Sequence, residues 1–189
     1  MPHDLRVISY ETVVDGARRH FLREGTIDMD QLAHELAVSR ATLYRAVDGR
    51  DRLLGDVLWS LAERIFVRAR RGVDGRGIEA ILEVSRRFTE DVMAAEPFRR
   101  FLEREPQTAF RVLLTPAGGV HDRTVAMQRA IFAEALDGCE DELPGDLDSL
   151  AYLYVRLHES ILYVDVMSGR RPDPDVAQRA VRALLTAPA

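Results

Sequence analysis

Apolar residues return every three or four positions along almost the whole of this chain, and no stretch carries the sustained alternation, bounded by turn residues, of a half-buried strand. A chain with that single periodicity folds as helices packed on helices, so the expectation is an all-α protein. Its 189 residues are 47% hydrophobic and 30% charged, enough for one or two cores, which excludes collagen-like, disulfide-stapled and fully disordered classes. Cys139 is the single cysteine, so no internal disulfide is available and a reducing compartment is expected. The first residues mix acid with base and lack the apolar run of a secretory signal. No later stretch reaches the apolar length a bilayer demands, and a soluble, cytoplasmic protein is expected.

Breakers divide the periodic segments. A first helix is expected from about Ser9 to Glu24, with Tyr10, Val13, Val14, Ala17 and Phe21 on one face and Gly25 placed for a left-handed end. Asp28 can cap a short second helix reaching Ala37, and Ser39 a third from Arg40 to about Val47. Asp48-Gly49 then breaks the chain before a long fourth helix, about Arg50 to Arg71. Three glycines between Gly72 and Gly77 mark the clearest internal boundary. Beyond it the pattern gives helices at about Ile78–Ala95, Pro97–Glu105, Thr108–Leu114, His121–Leu136, Leu147–Ser168 and Pro174–Thr186, separated by proline and glycine clusters.

Asp28 to Val47 therefore reads as two short helices joined by a tight turn, the geometry of a helix-turn-helix. Ala33 is small where the helices would cross, Val38 would plug the core beneath the turn, and Leu32, Leu36 and Leu43 supply apolar ridges. Arg40, Thr42, Tyr44 and Arg45 are left to face outward. Every basic residue in the chain is arginine, and the net charge of −5 argues against a generally basic coat for nucleic acid. GC-rich codons or a use for the planar guanidinium both account for the bias. Positive charge is nonetheless concentrated locally: Ser39 to Arg52 holds four arginines against Asp48 and Asp51. Taken singly, Arg40 and Arg45 would be a solvated face and Tyr44 a packing residue; in this spacing DNA contact is the stronger reading.

With these motifs in place, the sequence resembles the TetR family of one-component transcriptional regulators. The resemblance rests on Ala17-x-x-x-Phe21-x-x-x-Gly25, on Leu32-Ala33-x-x-Leu36-Ala37-Val38-Ser39-x-x-Thr42-Leu43-Tyr44, and on Arg50-Asp51-x-Leu53-Leu54, three linked segments in order over the first third of the chain. Two positions depart from the family pattern: Val47 stands where an aromatic is usual, and Asp28-Met29 where a hydroxyl residue often opens the second helix. The stretch Thr42 to Trp59 is also similar to the QsdR-like subgroup, regulators of quorum-sensing lactone degradation. The resemblance implies that Arg40, Thr42, Tyr44 and Arg45 lie along the major groove and that Arg50 grips a phosphate at the start of the fourth helix, chemistry that arginine, threonine and free helix-start amides all support. It divides the chain into residues 1–56, a helix-turn-helix DNA-binding domain that includes the start of the connecting helix, and residues 57–189, a ligand-binding and dimerisation domain.

In that second part, Leu147, Leu150, Tyr154, Leu157, Ile161 and Val164 form one apolar stripe and Tyr152, Val155, Leu162 and Val166 another. A helix that hides two faces packs a core and a partner, or sits centrally in a monomer. With Val176, Ala177, Ala180, Val181, Leu184 and Leu185 behind it, it resembles the helix pair of the family's two-fold interface, which implies a homodimer on a pseudo-palindromic operator. Phe88, Met93, Phe98, Phe101, Phe110, Met127, Ile131 and Phe132 are candidates to line an effector cavity, with Arg111, Gln128, Tyr154, His158 and Glu159 as polar handles; plain core accounts for most such residues singly. The resemblance implies a small-molecule effector that alters the spacing of the DNA heads, and the subgroup a lactone or other fatty-acid-derived compound.

Catalysis finds no support. His158-Glu159 lacks the second histidine of a helical zinc site, Cys139 sits among Glu140, Asp141 and Glu142, which disfavours a thiolate, and the glycines at 72–77 lack the lysine of a phosphate loop. The acidic cluster lacks the ordered spacing of a calcium loop. Neither metal nor cofactor is expected. The competing reading is a helical dimeric interaction protein that has lost sequence-specific DNA binding, which Val47 and the acidic first part favour and the Thr42-Leu43-Tyr44 motif opposes. The preferred expectation is a ligand-responsive repressor released by a small apolar effector.

Overall fold

The computed structural model describes residues 8–73, 76–137 and 144–186, so Cys139 and the acidic run Glu140 to Glu142 lie outside the described residues. Among those described the chain is helical with no strand: α1 (Tyr10–Glu24), α2 (Met29–Glu35), α3 (Arg40–Ala46), α4 (Arg50–Arg70), α5 (Gly77–Ala94), α6 (Glu96–Arg104), α7 (Pro106–Leu114), α8 (Val120–Ala135), α9 (Leu147–Leu162), α10 (Val164–Ser168) and α11 (Pro174–Thr186). The expected caps do their work. Ser9, Asp28 and Ser39 each accept from backbone amides two or three residues on, and Gly25 ends α1 at φ 74 with its N–H bound to the Phe21 carbonyl.

One helix expected from Leu147 to Ser168 is in fact two. Tyr163, at φ −110 and ψ 17, ends α9 and opens α10. No proline or glycine marks the break, so the periodicity runs straight through it.

The helices gather into two compact units, and the division is discontinuous. One holds the chain through Leu61 together with Glu96–Val120; the other holds Ala62–Ala95 and everything from His121 onward. Here α6 and α7 group with the first unit, whereas the division expected after residue 56 places them with the second. There Val13, Ala17 and Phe21 of α1 are buried with Leu32 and Ala33 of α2, Leu43 of α3, and Leu53, Leu54 and Val57 of α4. Phe101 of α6 completes that core, its ring edge-on to Phe21 at 5.8 Å. Burying a phenylalanine contributes roughly 1.5–3 kcal/mol, which is enough to hold α6 against α1. Gly55 of α4 meets the backbone of Gly118 so closely that a methyl group at Gly55 would overlap the Gly118 carbonyl.

In the second unit α11 packs on both α5 and α9. Ile81, Leu82, Phe132, Leu136, Leu150, Ala151, Tyr154, Val155, Val181 and Leu185 form its core. The second apolar stripe of α9 is split by this packing: Val155 and Leu162 are buried, whereas Tyr152 remains about half exposed, as does its neighbour Leu153, which belongs to neither stripe. Among the described residues no helix is long and apolar enough to cross a membrane.

Candidate nucleic-acid interface and effector cluster

The turn between α2 and α3 closes by backbone geometry. Ala37 takes the left-handed conformation at φ 53, and Val38 N–H reaches back to the Ala33 carbonyl at 3.0 Å, a six-residue closure that normally recruits glycine. A side chain there costs about 1 kcal/mol or more, offset by Leu36, which packs against Gly16 of α1. Val38 is half-buried beneath the turn. Val47 is 7% exposed, so it closes the end of α3 although it is smaller than an aromatic.

This frame fixes α3 with one face inward and one outward. Leu43 is fully buried, while Arg40, Tyr44 and Arg45 are exposed and Thr42 is half-buried. The Thr42 hydroxyl pairs with Ser39 Oγ at 2.8 Å and accepts from Arg45 Nη2 at 3.2 Å. Arg40 lies over the Tyr44 ring, 5.5 Å from its centroid, and meets Asp30 at 3.1 Å. Both partners of that ion pair are mostly in water, so the pair is worth little and exchanges readily for a phosphate. The face can offer two guanidiniums and a phenol to base edges or phosphates.

Arg50 has inward partners. Expected at a phosphate, it is turned into its own unit: Nε donates to the Ile27 carbonyl at 2.8 Å, and Nη2 to Thr26 Oγ1 at 3.0 Å and to both oxygens of Glu105 at 2.7 and 2.8 Å. Glu105 stands between α6 and α7. Burial pushes its carboxyl up, but the hydrogen bonds from Arg50 and Thr26 outweigh this and hold it below the usual range. Arg50 thus ties the start of α4 to the α6–α7 junction, which sequence reasoning missed because the partner lies 55 residues away.

The nine residues expected around an effector divide between the two units. Phe101 is core of the first unit, Arg111 in that unit binds Asp51 with Nε 2.5 Å from Oδ2, and Phe110 there is half exposed. Within that unit each of these three meets another side chain or faces solvent. Phe88, Met127, Gln128, Ile131, Tyr154 and His158 do belong to the second unit. Phe88 stacks on Phe66 at 3.8 Å, Met127 is half-buried, and Gln128, Ile131, Tyr154 and His158 are buried. Glu159 is not a free handle, because His121 Nδ1 lies 2.8 Å from one oxygen and Arg156 donates to the other at 2.9 Å.

His158 is a structural hinge of this cluster. Its Nδ1 lies 3.2 Å from the Tyr154 carbonyl, which can only accept, so Nδ1 carries the proton and Nε2 accepts from Ser85 Oγ at 3.2 Å. The ring stacks on Tyr154 at 4.4 Å, and Tyr154 meets Phe132 edge-on at 5.2 Å. Burial lowers the imidazole to about 4, the carbonyl bond offsetting part of that, so the ring is neutral at pH 7. Burial likewise pushes the Tyr154 phenol well above its ordinary value. The Tyr154 hydroxyl, the Gln128 amide and the Thr89 hydroxyl belong to residues that are each at most 4% exposed, and none of these polar atoms is both sealed from solvent and without a hydrogen-bond partner. Ser85 and Thr89 were missed by sequence reasoning. Their signal was two hydroxyls one helical turn apart within the buried face Ile81, Ser85, Thr89, Val92.

Residues 76–186 match the family model of the tetracyclin repressor-like C-terminal domain. Among solved structures, the transcriptional repressor QsdR of the TetR family from R. erythropolis superposes with a TM-score of 0.84 at 29% identity, covering 93% of each chain. A TetR-family transcriptional regulator from Streptomyces coelicolor superposes with a TM-score of 0.53 at 17% identity, covering 93% of this chain and 78% of that one, and shares the fold. Nothing among curated protein sequences matches.

Proposed function

The chain belongs to the TetR family of transcriptional regulators, and on that premise we propose that it is a ligand-responsive repressor that binds a pseudo-palindromic operator as a homodimer. Regulators of this family bind DNA as homodimers and respond to small molecules. The observation that carries the reading is the outward face of α3, with Arg40, Tyr44 and Arg45 exposed on a helix whose other side is fully packed. Thr42 stands at its edge, positioned by Ser39. Repression, rather than activation, is favoured by the similarity to QsdR, whose structure is described as that of a repressor. The exposed apolar side chains Tyr152 and Leu153 of α9 and Val176 of α11 support a second copy covering these helices. Such a dimer would set two recognition helices about 34 Å apart.

For the effector we assign Phe88, Met127, Gln128, Ile131, Tyr154 and His158, with Ser85 and Thr89 added, as the residues that receive a small, mostly apolar molecule. Its polar atoms would pair with the Tyr154, Gln128 and Thr89 groups. The resemblance of the Thr42 to Trp59 stretch to the QsdR-like subgroup favours a lactone or other fatty-acid-derived compound. Such a ligand shifts DNA binding only if it prefers one arrangement of the heads over the other.

Selection of bound sequences from a random duplex pool at two salt concentrations tests the operator reading. Enrichment of an inverted repeat with half-sites near one helical turn is expected. Arg45→Ala and Tyr44→Ala should each weaken binding to that repeat by about 1–3 kcal/mol and leave the dimer intact. An intact dimer with no enriched repeat, or unchanged binding in both variants, removes the recognition-helix assignment. Calorimetry with a series of lactones tests the effector, and absence of heat throughout the series rejects that class.

A further inference from the structure

A cavity of about 240 Å³ opens in the second unit where the end of α4, the start of α5 and the second half of α8 meet. Ala80, Ile81 and Val84 of α5 and Ile131 of α8 form its floor, all of them under 9% exposed. Its rim is charged. Arg70 and Glu134 border it and are paired with each other, while Arg76, on the same rim, has no partner among the described residues. The acid nearest to Arg76 along α5, Glu79, is taken by Arg182 of α11 at 2.9 Å and does not neutralise it. Arg76 is also the cap residue of α5 and makes no side-chain capping bond, so the first amides of an 18-residue helix add to the positive end. None of Ser85, Thr89, Gln128, Tyr154 and His158 lines this cavity.

We propose that this cavity is a second ligand site, which takes a small organic carboxylate with its apolar body on the Ile81, Val84 and Ile131 floor and its carboxylate on Arg76. The charges decide the class. Two arginines against one glutamate leave the rim one positive charge in excess, which suits a monoanion, and a guanidinium binds a carboxylate through two parallel N–H bonds. The volume decides the size, since it lies just under the roughly 300–1,000 Å³ of sites for larger organic ligands. An uncharged ligand would leave Arg76 no better paired than before. A free inorganic anion would leave the apolar floor wet.

Octanoate is the probe, titrated calorimetrically into the full chain at constant ionic strength, with octanol and acetate as the chain-only and charge-only controls. Octanoate is expected to bind, and both controls to bind at least about tenfold more weakly. Arg76→Ala, at an exposed position, should fold normally and lose at least about tenfold in octanoate affinity, whereas Arg76→Lys keeps part of it. Ala80→Leu, which fills the floor, should weaken octanoate without touching the charge. No heat with octanoate, equal affinity for octanol, or full affinity in Arg76→Ala each overturns the site. Binding that survives Arg76→Ala but is lost in Gln128→Leu places the carboxylate in the effector cluster and overturns it as well.

Discussion

The first unit ties many of its buried and half-buried polar groups to one another, whereas the second gathers several nearly buried polar side chains within an apolar core. In the first, the fully buried His20 meets Glu35 at 3.0 Å, Arg50 is shared among Thr26, Ile27 and Glu105, and Asp51 is held by Arg111. In the second, Tyr154, Gln128 and Thr89, each at most 4% exposed, bring polar atoms into a largely apolar core. A closed set of partners fixes a shape, and an open set reserves contacts for something that arrives later. On the proposed function, the first unit would carry its functional groups outside, on α3, and the second would carry them within. Arg100 is the exception in the first unit, since its Nε is sealed from solvent without a hydrogen-bond partner, the nearest carboxylate being Glu96 at 3.6 Å.

The closed side breaks most severely at Gly55. Because a Cβ there would overlap the carbonyl of Gly118, Gly55→Ala forces two backbones apart. A loss of ~3 kcal/mol or more is expected. Urea unfolding followed by circular dichroism measures it. A variant within about 1 kcal/mol of the parent would mean that the α4 contact with the α7–α8 turn yields easily, and that the first unit is less closed than its packing implies.

The open side is sharpened by His158. The folded chain holds this imidazole near 4, against an ordinary value of 6.5. Between those two values the unfolded chain binds a proton that the folded chain refuses. Stability is therefore full above pH 6.5 and falls as pH drops toward 4, by at most about 3 kcal/mol. His158→Gln keeps a neutral acceptor for Ser85 and removes the titration. Unfolding of both proteins at pH 7.5 and pH 5 should show the parent losing about 2 kcal/mol more than the variant. Equal losses would mean that His158 is solvated and that the cluster is not the dry interior described.

What was legible in the sequence follows the same divide. Helices and caps are local, so Ser9, Asp28, Ser39 and Gly25 announced α1 to α3 correctly, and the outward face of α3 followed from the spacing of Leu32, Leu36 and Leu43. The break at Tyr163 had no local signal. Contacts between distant segments were illegible: nothing in the neighbourhood of Phe101 or Arg111 says that α6 and α7 return to the first unit. An aromatic residue at helical spacing reads the same whether it lines a ligand or packs on Phe21. Ala37 hid a left-handed turn because the residue that usually marks one is absent.

Arg50 is where the comparison is most finely tested, because two roles compete for one guanidinium. If it belongs to the closed set, Arg50→Ala leaves Glu105 with fewer donors and costs about 1–2 kcal/mol, discounted for partial exposure of the pair. The sign with pH follows from the lowered carboxyl of Glu105. Its contribution is present above the ordinary value of 4.5 and is lost as pH falls through the folded value, so Arg50→Ala should flatten the acid limb of stability below about pH 4.5. DNA binding gives the orthogonal reading. A phosphate contact removed by mutation lowers the salt dependence of affinity by about one unit of slope, which is expected for Arg45→Ala and not for Arg50→Ala. A lower slope in Arg50→Ala would mean that the guanidinium leaves Glu105 when DNA arrives. The tie between α4 and the α6–α7 junction would then be exchanged for operator binding, and the closed unit would open at that one pair.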